Sequence, residues 1–238
     1  FVTTFGLPED LTSYFYTLGA LPVLKLDIAN PEVFWALLDS IETESGLNHE
    51  MRKLAQVDYR AYPLTEPGEE EQIDLVFAID NGMLTITLAT SFSDPALLET
   101  ALGIKPVTNP ISESGIIEDI FAKHGFLKDG VSYINHQELV KAITTQDGNQ
   151  LAKQLTHLFT MVNDDPFVEL RSEVCNRELN GIAANWPRTV MGYTEFAVKD
   201  KQTTMGFSTV IESNNQVIMG ALSQIRGFLP AYTQDVKT

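Results

Sequence analysis

The sequence predicts an α+β fold, with mainly antiparallel sheets built from repeated strand–strand–helix units, helices on one face, and a helical middle segment. Three observations point there. A strand running straight into a capped helix recurs three times, hairpin signals join neighbouring strands, and 44% hydrophobic against 20% charged residues is the balance of a folded globular chain.

The first strand–helix unit is VLKLDIANPEVFWALLDSI. Leu24, Leu26 and Ile28 alternate with Lys25 and Asp27, the period of a half-buried strand. Asn30 is placed to cap a helix and Pro31 to open it, since a proline at the first helical position forfeits no hydrogen bond. Phe34, Leu37, Leu38 and Ile41 then form one apolar stripe. In the second unit Leu84, Ile86 and Leu88 alternate with threonines, Asp94 caps, Pro95 opens the helix and Gly103 ends it. In the third, Met205, Phe207, Thr209 and Ile211 alternate, and Ser213 or Asn214 is the expected cap. Ile218, Ala221, Leu222 and Ile225 make the stripe. The copies are too unevenly spaced for a solenoid.

Asn81-Gly82 between two apolar runs is a strong hairpin signal, because both residues accept the positive φ of a tight turn. Further hairpins are expected around Gly19 to Pro22 and at Lys199-Asp200-Lys201. In the middle, Ile116, Ile117, Ile120 and Phe121 form a helical stripe, and Leu151, Leu155, Leu158, Phe159 and Val162 form another. GVSYINHQELVKAI reads as a short strand feeding a helix capped by Asn135. The bridge GIKPVTNPISESG suggests an N-terminal half over 1–105 and a C-terminal half over 106–238. The acidic run TEPGEEEQ reads as a solvated loop.

Charge and motif content narrow the functional classes. Sixteen basic against 32 acidic residues leave a net charge of −16, a field that repels nucleic acid and anionic membranes. No stretch reaches the ~20 apolar residues of a membrane span. The chain starts at Phe1, as a processed or trimmed chain does, and a signal peptide or lipid anchor removed ahead of Phe1 is compatible with it. No Asn-x-Ser/Thr acceptor occurs, which argues against a eukaryotic secretory protein. The histidines at 49, 124, 136 and 157 lack zinc-ligand spacing. Asp164-Asp165, Asp147-Gly148-Asn149 and Glu69 to Glu71 lack the order of a calcium loop. No phosphate-binding glycine loop and no nucleophile elbow is present. No cofactor and no metal is therefore expected.

The stretch CNRELNGIAANWPR holds the only cysteine. On a helix over about Glu169 to Ala184, Cys175 shares a stripe with Leu179 and Ile182. A buried inert thiol, or half of a lost disulfide, is the expectation. Pro187 ends that helix and turns Trp186 toward an extended conformation. Trp186, Arg188 and Tyr193 are the candidate ligand-binding residues, with packing as the competing role. Phe1, Phe5, Tyr14, Phe15 and Tyr16 crowd the amino end and are expected to pack into the sheet.

The strand–Asp/Asn-Pro–helix units, GVSYINHQELV and CNRELNGIAANWPRTVMGY resemble uncharacterised exported proteins of Gram-negative bacteria, some of them assigned as lipoproteins. The resemblance implies a periplasmic or envelope-anchored address and no particular activity. The expected function is that of a non-enzymatic extracytoplasmic protein that binds a ligand or protein partner. The alternatives are a hydrolase using carboxylates or a histidine, which requires those groups together in a pocket, and a structural subunit of an envelope assembly, which requires a large exposed apolar patch or a stable oligomer.

Overall fold

The computed structural model describes residues 4–66, 68, 69, 71–199 and 202–225. The fold is α+β with antiparallel sheets throughout. The chain divides into two compact units, 1–108 with 146–165, and 109–145 with 166–238. The first break falls inside the bridge that separates the expected halves. The halves 1–105 and 106–238 nonetheless need correcting, because 146–165 returns to the first unit. Gln154 explains the return: its side-chain oxygen accepts from the Ala20 N–H at 2.7 Å and its amide nitrogen donates to Ser93 Oγ at 3.1 Å.

The first unit is built on a six-stranded sheet in the order β1-β2-β6-β5-β4-β3. Its strands are β1 (Ser13–Leu18), β2 (Leu21–Asp27), β3 (Glu50–Leu54), β4 (Val57–Pro63), β5 (Ile73–Asp80) and β6 (Met83–Thr90). Asn81 and Gly82 turn β5 into β6 with φ of 49° and 76°, the doubly positive turn that matches strand twist. Helix α1 (Pro31–Ser45) starts where Asn30 Oδ1 accepts from the Val33 N–H, and α2 (Pro95–Ala101) where Asp94 Oδ1 accepts from the Ala96 N–H.

Helices on one face, the sequence expectation, does not describe this sheet. Phe34 of α1 packs with Ile28, Leu84, Phe77 and Ile79. Leu98 and Leu102, in and just after α2, pack with Val76, Ala78, Val57 and Ala61. Residues 76 and 77 point to opposite faces, so both faces of β5 are apolar and both need cover. Helix α5 (Gln150–Val162) completes the unit, capped by Asn149 Oδ1 on the Ala152 N–H.

The second unit carries a three-stranded sheet, β7 (Val131–Asn135), β8 (Arg188–Lys199) and β9 (Gln202–Glu212), in that order. Among the described residues four helices accompany it: α3 (Ile116–His124), α4 (His136–Thr144), α6 (Glu173–Asn185) and α7 (Gln216–Ile225). Asn135 Oδ1 caps α4, as expected. Asn215, not Ser213 or Asn214, caps α7, accepting from the N–H groups of Val217 and Ile218. The expected turn at Asp200-Lys201 and the aromatic Phe1 lie outside the described residues, as does the side chain of Ile225. No helix among the described residues is long and apolar enough to cross a membrane.

The core of this unit is Ile120, Phe126 and Val190, flanked by Ile116, Phe121, Val131, Tyr133 and Val210. Gly192 is what lets Phe126 in: a Cβ there would overlap the Phe126 ring. Gly192→Ala is expected to destabilise this unit by about 2 kcal/mol through overpacking, read as a lower midpoint of its urea transition; an unchanged midpoint contradicts the packing described.

Candidate functional site

The second unit's sheet presents two chemically opposite faces, because side chains alternate along each strand. On the face toward α3, the register aligns Asn135, Arg188 and Glu212 in one cross-strand row. Glu212 is buried, with 6% of its surface exposed, and every bond that follows answers that burial. Its Oε1 meets His124 Nε2 at 2.7 Å, and its Oε2 accepts from Arg188 Nε at 2.8 Å and from Lys123 Nζ at 2.9 Å. Arg188 Nη2 donates in turn to Asp119 Oδ2 at 2.6 Å, and the His124 ring stacks on Phe126. Burial alone would raise the Glu212 pKa; the bonds from Arg188, His124 and Lys123 outweigh it and bring it down to about 2.

Above this row lies an open cavity of about 410 Å³, walled also by Lys123, Tyr133, Asn135, Gln137, Pro187 and Asn214. Two carboxylates, Asp119 and Glu212, thus border one pocket, and His124 meets Glu212 from outside its walls. The chemistry they leave is that of a clamp. Both Glu212 oxygens are occupied and the group stays ionised, so it has no proton to donate near neutral pH, and Arg188 is held between two carboxylates.

Among the described residues the opposite face is largely uncovered, with His136 Nε2 of α4 meeting Thr189 Oγ1 at its inner end at 2.8 Å. Register places Ser132 and Ile134 of β7, Thr189, Met191, Tyr193, Phe196 and Val198 of β8, and Thr203, Met205, Phe207, Thr209 and Ile211 of β9 on it, with a bulge between Tyr193 and Glu195. None of these residues is charged. Phe207 is 70% exposed, Val198 64%, Ile211 61%, Phe196 60% and Met205 58%. Beyond Gly192, β8 has no β7 partner, so the outer hairpin is a two-stranded ribbon. Helix α7 separately exposes Val217, Met219 and Leu222 and carries no charged residue.

The three expected binding residues are therefore separated. Arg188 lines the pocket, whereas Tyr193 lies on the largely uncovered face opposite Phe207. Trp186 ends α6, its carbonyl accepting from His136 Nδ1 at 2.7 Å, with the indole half-buried. Cys175 is half-buried, which corrects the expected buried thiol. The inward stripe of α6 keeps the expected Cys175 and Leu179, adds Asn176, which donates to the Thr144 carbonyl, and ends on Ala183 in place of Ile182, which is exposed. The helix also starts later: Glu169–Arg171 is a 3-10 turn, and Ser172 caps α6 through the Cys175 N–H. Glu212 and His124 escaped the sequence reading, although a carboxylate at the inward position two residues after Val210 is a signal of a buried, paired charge.

Two clusters in the first unit are structural. Ser91 Oγ donates to Glu71 Oε2 and His157 Nε2 meets Glu71 Oε1, which puts the acid between hydroxyl and imidazole; activation of a serine needs the histidine in the middle. Arg60 lies over the Trp35 ring at 4.6 Å and pairs with Asp39, beside a Glu42–Tyr62–His49 group. Tyr14 and Phe15, expected to pack, are exposed on the edge strand β1. Among the described residues no three His, Cys, Asp or Glu side chains converge as metal ligands.

No family model, curated protein or solved structure matches the chain.

The depressed Glu212 pKa fixes a pH dependence. Its bonds contribute fully above the unfolded value near 4.5 and are lost as pH falls toward about 2. Glu212→Gln is expected to cost about 3 kcal/mol at pH 7 and progressively less below pH 4.5, measured by urea unfolding of both proteins across that range. A penalty constant with pH contradicts an ionised, paired Glu212.

Proposed function

We propose that the chain is a non-enzymatic binding protein whose second unit docks a protein partner on the largely uncovered face of its three-stranded sheet. The observation that carries this is the face itself: eight large apolar side chains, each more than a third exposed, with no charge among or between them. Leaving them in water forgoes roughly 25 cal/mol for every Å². A two-stranded ribbon is at best marginal without packing, so the outer hairpin gains most from a partner. An extracytoplasmic address goes with this reading and rests on the resemblance of the sequence to exported proteins.

The pocket beside Glu212 supports a second reading, a hydrolase working through its carboxylates. The engagement of both Glu212 oxygens weighs against it. Turnover of a simple ester or glycoside that Glu212→Gln abolishes would favour it over binding.

The neutral dye Nile red reads the docking face without knowledge of the partner. At submicromolar protein the wild-type chain is expected to enhance its fluorescence, and Phe196→Ser combined with Phe207→Ser to remove most of that enhancement. Because both side chains are exposed, stability should fall by no more than surface changes cost, about 0.5 kcal/mol for each substitution. Equal dye binding by the two proteins contradicts the reading.

A further inference from the structure

We infer that the partner on this face is a second copy of the same chain, the two sheets packing face to face about a two-fold axis; the inference rests on the docking reading above. Area is the first argument. At roughly 200 Å² for a large side chain, the exposed fractions of Ile134, Met191, Tyr193, Phe196, Val198, Met205, Phe207 and Ile211 amount to on the order of 800 Å². That is what one partner contributes to a standard interface.

Shape and symmetry are the second. A pleated apolar face is complementary to itself, since two such sheets interdigitate at a spacing of about 10 Å, and a two-fold axis lets one patch serve as both halves of a contact. The uncharged helix α7 follows β9 after three residues and exposes Val217, Met219 and Leu222. Three exposed apolar side chains on an uncharged helix add to the apolar surface this unit leaves in water.

Charge discriminates between occupants. A basic protein recognised through the net charge of −16 would need acidic groups on the face, and the face has none. An anionic membrane is repelled by the same net charge, and α7 lacks the Lys and Arg that hold interfacial helices at a bilayer. Two copies also repel each other at long range, but salt screens that repulsion and leaves apolar contact intact. Association is therefore expected to tighten as salt rises, opposite to the behaviour of a partner bound by charge.

Sedimentation equilibrium of the full chain over a range of concentration and salt tests this. The wild type is expected to show a reversible monomer–dimer equilibrium that tightens with salt. Phe196→Ser with Phe207→Ser is expected to weaken it by roughly thirtyfold or more. Met205→Gln, a milder change on the same face, should weaken it in the same direction, and Phe15→Ser on the first unit should leave it unchanged. A dimer indifferent to both face variants overturns the inference, as does a wild type that stays monomeric. If that monomer still binds Nile red through Phe196 and Phe207, the second copy is excluded while the docking face stands. If it binds no dye, both fall.

Discussion

A three-stranded sheet has two faces, and in the second unit α3 and the segment after it cover one. Alternation sends Tyr133, Val190 and Val210 inward, where they meet Ile120 and Phe126. The same alternation sends Met191, Tyr193, Phe207 and Ile211 outward, where each keeps more than a third of its surface exposed. The pleat cannot hide both sets at once, so an apolar pattern on both parities of one sheet demands two covers. The six-stranded sheet of the first unit meets that demand within its own unit, with Phe34 from α1 on one side and Leu98 and Leu102 from the α2 segment on the other. The second unit leaves it half unmet.

The covered face solves a different problem. Glu212 ends β9 at an inward position, and a carboxylate buried there is stable only if donors surround it. Arg188 reaches it from the neighbouring strand and Lys123 and His124 from α3, so one ionised group ties helix to sheet at the rim of the core. The pocket above it is a consequence of that clamp. Its charges already answer one another, which suits it to holding the unit together and to meeting a small polar ligand through Tyr133, Asn135 and Gln137. Proton transfer asks for a group free to change state, and Glu212, ionised and bonded through both oxygens, is not one.

Local rules made much of the fold legible. Asn30, Asp94, Asn135 and the Asn81-Gly82 turn each act through residues at most three positions away, so short stretches of sequence suffice to place them. The β3–β4 turn escaped because Ala55, a residue without turn preference, takes a φ of 51° there. The return of α5 to the first unit depends on Gln154 meeting Ala20, a contact with no trace in local pattern. The same holds for the site. Arg188 was legible as a guanidinium beside a helix exit, but its partners Glu212 and Asp119 are distant in sequence. Tyr193 was singled out with it although five residues along a strand place it on the other face. Alternation alone carried the information that Met205, Phe207 and Ile211 share a face; which face lacks a cover depends on where α3 packs.

The most direct test of a sheet face covered by association is hydroxyl-radical footprinting of Met205 and Phe207 along a dilution series, with the exposed Met51 of the first unit as internal reference. Oxidation of Met205 and Phe207 is expected to be fast in dilute protein and to slow with rising concentration, while Met51 keeps one rate throughout. Oxidation of Met205 and Phe207 that keeps a constant ratio to that of Met51 at every concentration would contradict it.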